Sequence, residues 1–210
     1  PFGMVTESPP IFNANIGINN FDIGHALTRK TQNFGVLGIG FFQSVCATGP
    51  GLDLSNPHKS NGATGSVNPL GYYFFTLLLH ELGHQFNARH AFNFCTGTAR
   101  EGTSAYEPGS GSPIMSYAGI CAASNNLQSL PDAYFNVGNY DDVFIFSRGG
   151  ATCQDILPTG NTAPTVNAGL GSTFLPIGTA LELTATGSDP DGDSITYCWE
   201  QHDLGPAVAP

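Results

Sequence analysis

An α+β fold is predicted for this chain on three observations. Residues 34–45 (FGVLGIGFFQSV) are rich in aromatic and β-branched side chains and have the composition of a strand. A nearly continuous apolar run follows at about 69–86 and reads as a helix carrying two histidines one turn apart. A long segment without periodicity then leads to a second, amphipathic helix at 139–148, and the composition turns to β-type after about residue 158.

The first 20 residues are rich in Pro and Asn without a period, so a loop-like lead-in is expected. A short strand is expected within 20–27; His25, a lone histidine, is left unassigned. The glycines of 34–45 suit close approach of another backbone. Residues 47–68 are dominated by Gly, Ser, Asn and Pro, hence a loop. Asn68 and Pro69 then offer an N-cap and a first-turn proline. Residues 72–79 are almost all apolar, which predicts a helix buried on most sides. An irregular stretch as long as 91–138 is uncommon in a compact domain unless it is functional or stapled. Asn139 caps the last helix, acidic residues occupy its first turn, and Gly149-Gly150 ends it.

The chemistry sits in His80-Glu81-Leu82-Gly83-His84-Gln85-Phe86-Asn87-Ala88-Arg89-His90. On one helix face, His80 and His84 present two neutral imidazoles to a single zinc ion. Glu81 lies one residue round the helix, beside the metal without ligating it, where a general base for water belongs. A straight helix would carry His90 away from that ion, so the chain must turn after His84. Asn87 is the residue most able to make the turn, because Asn tolerates the left-handed conformation. Each feature alone has a bland reading: such a histidine pair on a solvated helix face, a lone Met as core filler.

The formal net charge of -10, with only 6 Lys and Arg, argues against nucleic acid or an anionic membrane as partner. No run reaches the ~18 apolar residues of a membrane span. Five cysteines point to an oxidising compartment. Four of them, Cys46, Cys95, Cys121 and Cys153, allow three pairings, and no Cys-x-x-Cys suggests a second zinc site. The chain opens at Pro1, so a mature or trimmed form is expected.

With Ser112-Pro113-Ile114-Met115-Ser116-Tyr117 downstream, the histidine motif resembles the metzincin zinc peptidases, whose signature is H-E-x-x-H-x-x-G-x-x-H followed by a methionine turn. Asn87 stands where that family usually has Gly. The flanking segments look like bacterial secreted reprolysin (adamalysin-like) enzymes over residues 34–153. The resemblance implies a mixed sheet, a zinc-binding active-site helix, and an irregular C-terminal subdomain with a closing helix. It implies zinc on His80, His84 and His90, Glu81 as general base on a zinc-activated water, and Met115 beneath the metal. It implies that the strand before the helix pairs with extended substrate. The disulfides it implies are Cys46–Cys153 and Cys95–Cys121. Two metzincin branches use a tyrosine at the position of Tyr117 as a zinc ligand and oxyanion donor; the adamalysin branch does not. Tyr117 is thus either such a donor or a wall of the cleft.

In the tail, residues 181–186 alternate like a strand, and Ser188-Asp189-Pro190-Asp191-Gly192-Asp193 with Tyr197-Cys198-Trp199 resembles PKD-like and other immunoglobulin-like domains. Asp189, Asp191 and Asp193 suit either calcium or a polar Asp-Gly turn. The expected organisation is a catalytic domain at 1–157, short at its front, and a partial β-sandwich at 158–210. The function expected is a secreted zinc endopeptidase acting on protein or peptide substrates. The alternatives are a non-catalytic zinc-containing adhesion module, whose metal would be closed off by a fourth protein ligand, and an interaction scaffold carried by the tail.

Overall fold

The computed structural model describes residues 2–29, 37–66, 68, 70–95, 99–169 and 171–207. These fall into two compact units, Pro1–Gln154 with Glu200–Pro210, and Asp155–Trp199. In the first unit a three-stranded mixed sheet has the order β1-β3-β2. Strand β1 (Ala26–Arg29) runs parallel to β3 (Gly62–Ser66), and β2 (Gly38–Gly40) runs antiparallel to it.

The central strand corrects the expectation of a loop over 47–68. All five residues of β3, Gly-Ala-Thr-Gly-Ser, are buried. No apolar alternation marks them, because small side chains are what fit between the helices that contact β3. Strand β2 is shorter than expected, and residues 34–36 of the proposed strand lie outside the described residues. The chain leaves β2 through turns in which Gln43 and Cys46 take positive φ, 54° and 66°.

The first residues form a helix, α1 (Phe2–Asn15), where a loop was expected. Pro9 and Pro10 lie inside it, and each removes a backbone N–H that would bond one turn back. The Val5 carbonyl, deprived of Pro9, is satisfied instead by Asn61 Nδ2 at 2.8 Å and Ser8 Oγ at 3.0 Å. Val5 also packs in a cluster with Phe41 and Ala63. Tertiary partners therefore hold a helix that local propensity disfavours, and this helix backs the sheet.

Helix α2 (Tyr72–Gln85) carries the histidine motif and packs on β2 and β3. Its N-cap is Gly71. Asn68 caps the preceding turn, its Oδ1 accepting from the Leu70 N–H at 3.4 Å, and Pro69 lies outside the described residues. The helix is buried along one face only: Phe75 and Leu79 are 51% and 40% exposed. Helix α3 (Val137–Ile145) begins earlier than expected. Asn136 is the cap, accepting from the Gly138 N–H at 2.9 Å, while Asn139 is fully buried and donates from Nδ2 to the Arg89 carbonyl at 2.6 Å. A π-helical turn, Phe146–Gly150, closes α3.

Two disulfides tie the first unit, Cys46–Cys153 and Cys95–Cys121. The second spans the irregular segment after α2, where Phe92 and Glu107 also form a parallel bridge. The Glu107 carboxylate is buried there, accepting from the Ser112 N–H and Oγ, both at 2.9 Å. It thereby fixes the start of the turn that holds Met115.

The second unit has two short antiparallel strands, β4 (Thr165–Asn167) and β5 (Thr186–Ser188). The alternating run 181–186 is not paired apart from Thr186. No described residue of this unit is buried; Trp199 is 46% exposed. Two strands without an opposing layer do not bury a face, so no sandwich core forms among the described residues.

Candidate metal centre

Helix α2 brings His80 and His84 to one face, and both are buried. Its end is a Schellman-type stop: the Ala88 N–H reaches the Gly83 carbonyl and the Asn87 N–H the His84 carbonyl, each at 2.8 Å. Asn87 takes the left-handed conformation there, φ 75°. That reversal returns His90 to the face of His80 and His84. The Nε2 atoms of His80 and His84 each lie 3.2 Å from His90 Nε2.

The ring tautomers follow from the other nitrogens. His80 Nδ1 bonds the Ile114 carbonyl, His84 Nδ1 the Ala88 carbonyl, and His90 Nδ1 the Ala99 carbonyl, all at 2.8 Å. A carbonyl only accepts, so each Nδ1 carries a proton, and a ring in its neutral form leaves a bare Nε2 lone pair facing inward. Three facing lone pairs repel unless a cation sits among them. Tetrahedral zinc, with Zn–N of about 2.0–2.1 Å, requires N···N edges of about 3.3 Å. The donor set therefore fits zinc in type, and the two edges to His90, 3.2 Å each, are close to that length. Among the described residues, His80, His84 and His90 form the one group of three or more His, Cys, Asp or Glu able to hold a metal. Burial lowers the pKa of His80 to about 3 and that of His84 well below the usual value, with repulsion between the rings adding to it. Both are neutral at pH 7, the state a metal needs.

Glu81 is buried beside this cluster against β2. A side chain on Gly38 would collide with the Glu81 carboxylate, and one on Gly40 with the Glu81 backbone carbonyl. Both glycines permit the helix to approach the strand this closely. Burial pushes the Glu81 carboxyl up to about 8, against a Gly40 N–H bond that pulls it down.

Met115 is fully buried with Ala88 and Ile114. A Cβ at Gly83 would stand 2.6 Å from its sulfur, so the glycine between the first two histidines makes room for this methionine. The same turn supplies the Ile114 carbonyl that orients His80. Tyr117 packs edge-on to His90, centroids 4.8 Å apart, and against Phe92 at 4.5 Å. Its pKa is raised to about 12, chiefly by burial. Next to Glu81 opens a cavity of about 270 Å³, lined largely by apolar groups including Leu37, Tyr73, Leu77, Ile114 and Ile120.

Other candidates stand apart from this site. His25 is a structural link, bonded through Nδ1 to Gln85 Oε1 at 2.7 Å and through Nε2 to Thr64 Oγ1 at 2.8 Å. In the second unit Asp189 accepts from the backbone N–H groups of Asp191 and Asp193, and Asp191 accepts from Thr162. These are the bonds of a polar turn. Sequence reasoning missed the carbonyls of Ile114, Ala88 and Ala99, which no side-chain pattern reveals. It also missed Glu101, which lies in a segment without period.

A family model described as metallo-peptidase family M12B, reprolysin-like, matches residues 4–143. No curated protein and no solved structure matches the chain.

Proposed function

Because the chain belongs to the reprolysin-like M12B metallopeptidase family, we propose that it is a zinc-dependent endopeptidase in which Glu81 is the general base. The observation that carries this reading is the set of three imidazoles, each with Nδ1 committed to a carbonyl and Nε2 turned inward. Zinc bound there would polarise the scissile carbonyl and acidify the attacking water. Glu81 takes the proton of that water on its carboxylate and passes it to the leaving amine. The apolar cavity beside Glu81 receives a substrate side chain, and the substrate's extended backbone lies along β2. Three donor residues with no fourth among the described His, Cys, Asp and Glu favour a catalytic over a closed structural site. The two disulfides fit an oxidising compartment, and no described helix is long and apolar enough to cross a membrane. We place the enzyme outside the cell, acting on protein or peptide.

The test is zinc content together with hydrolysis of an unstructured protein, with and without a chelator. One zinc per chain, activity lost on chelation and restored by zinc are expected. A zinc-loaded chain without hydrolysis would instead favour the adhesion-module reading.

Tyr117 is assigned to the substrate's carbonyl oxygen. Its hydroxyl makes no hydrogen bond among the described residues, and its ring lies against His90 in the wall of the cleft. Tyr117→Phe is expected to lower kcat by roughly tenfold to a hundredfold with KM little changed. A kcat/KM within about twofold of wild type, under ~0.5 kcal/mol, would make the tyrosine only a wall.

A further inference from the structure

We propose that Glu101 is a positioning residue for the third metal ligand, and that Arg89 and Asp142 anchor it to the closing helix. His90 differs from His80 and His84 in lying beyond α2, in irregular chain. Its placement must come from elsewhere. Glu101 Oε1 lies 3.3 Å from the His90 backbone nitrogen, whose N–H it accepts, and 3.3 Å from His90 Nδ1. One carboxylate oxygen thus touches both the main chain and the ring of the ligand. Ser104 Oγ completes the hold by donating to the His90 carbonyl at 2.8 Å.

Glu101 is itself oriented by charge. Its Oε2 lies 3.8 Å from Arg89 Nε, and Arg89 Nη1 donates to Asp142 Oδ1 at 2.9 Å. Asp142 also accepts the Arg89 backbone N–H at 3.2 Å, and Asn139 of α3 holds the Arg89 carbonyl. The charges therefore alternate from the metal site outward: ligand, Glu101 carboxylate, Arg89 guanidinium, Asp142 carboxylate on α3. The Nδ1 proton of His90 goes to the Ala99 carbonyl, so Glu101 acts on the ligand through its backbone N–H and through the negative charge it places beside the ring, as outer partners of metal ligands do. The relay joins Arg89, the sequence neighbour of His90, to Glu101 and to Asp142, and so couples α3 to the ligand.

This inference rests on the three-histidine site holding zinc, and the test separates the two. Zinc affinity is measured on the full chain by competition with a chromophoric chelator, and cobalt is substituted to read the ligand field. Wild type is expected to bind one metal; failure to do so would overturn the zinc reading itself. Glu101→Ala is expected to weaken zinc binding by roughly 10- to 100-fold and to alter the cobalt d–d bands. Glu101→Gln retains an acceptor for the His90 N–H and is expected to recover part of that loss. Arg89→Met, which removes the guanidinium that orients Glu101, is expected to weaken binding by a smaller factor. Zinc affinity within twofold of wild type in a folded Glu101→Ala chain overturns the inference. Should that variant fail to fold, Glu101→Gln carries the test, and wild-type affinity and cobalt bands in it overturn the role of the charge.

Discussion

Replacing Glu81 by glutamine is expected to lower kcat/KM for a peptide substrate by roughly 10²- to 10⁴-fold while the chain keeps its zinc. That range corresponds to about 3–5 kcal/mol of transition-state stabilisation. Glutamine has nearly the same shape, and its amide oxygen still accepts the Gly40 N–H that the carboxylate holds. The three histidines take their orientation from the carbonyls of Ile114, Ala88 and Ala99, none of which the substitution touches. What is lost is the capacity to accept a proton. Burial pushes the Glu81 carboxyl up to about 8, and zinc bound beside it would favour the carboxylate form that takes the proton. Metal analysis and steady-state kinetics on the same sample decide the matter. Retained activity would move the base elsewhere, and lost zinc would make Glu81 a structural part of the centre. His84→Ala, which removes a ligand, is the contrasting control and should lose metal and activity together.

The site was more legible in the sequence than the fold that carries it. A ligand motif is side-chain chemistry at fixed spacing, so His80, Glu81, His84 and His90 stand out from the order of residues alone. The need for a turn at Asn87 also follows from spacing, and the structure places its left-handed residue there. The close approach suggested by the glycines of 34–45 is real, but what approaches Gly38 and Gly40 is Glu81 of α2. The failures share a cause in partners that are remote in sequence. Helix α1 survives two internal prolines because Asn61 serves the carbonyl that Pro9 cannot. Strand β3 is central yet has no apolar period, since burial between packed elements selects small residues there. Helix α3 is capped by Asn136 and not by the expected Asn139, which is an interior residue bonded to the Arg89 carbonyl.

Removal of the Cys46–Cys153 bridge is expected to cost about 4 kcal/mol of stability, within a general range of roughly 2–5 kcal/mol. The bridge closes a separation of 107 residues, and in the chain-entropy account a loop of ~100 residues is worth ~4.7 kcal/mol. Against a typical total of about 5–15 kcal/mol this is a large fraction. Its two ends meet in a small cluster of Val45, Cys46, Phe146 and Ala151, which fastens the turn after β2 to the π-helical turn that closes α3. That cluster adjoins the metal centre: the Val45 N–H bonds the Gln85 carbonyl at 3.3 Å, and Gln85 Nε2 bonds Ser44 Oγ at 3.1 Å. Gln85 follows His84 directly, so loosening the 44–46 turn also loosens the end of the ligand-bearing helix. The double variant Cys46→Ala/Cys153→Ala avoids leaving a single reactive thiol. Urea unfolding should show a lower midpoint, and activity should disappear at a lower temperature than in wild type. Zinc in excess should recover part of the loss, because a ligand bound only by the folded state shifts the equilibrium toward it. A stability change under about 1 kcal/mol, well below the general range for a native bridge, would show that the small cluster holds these segments together without the covalent link.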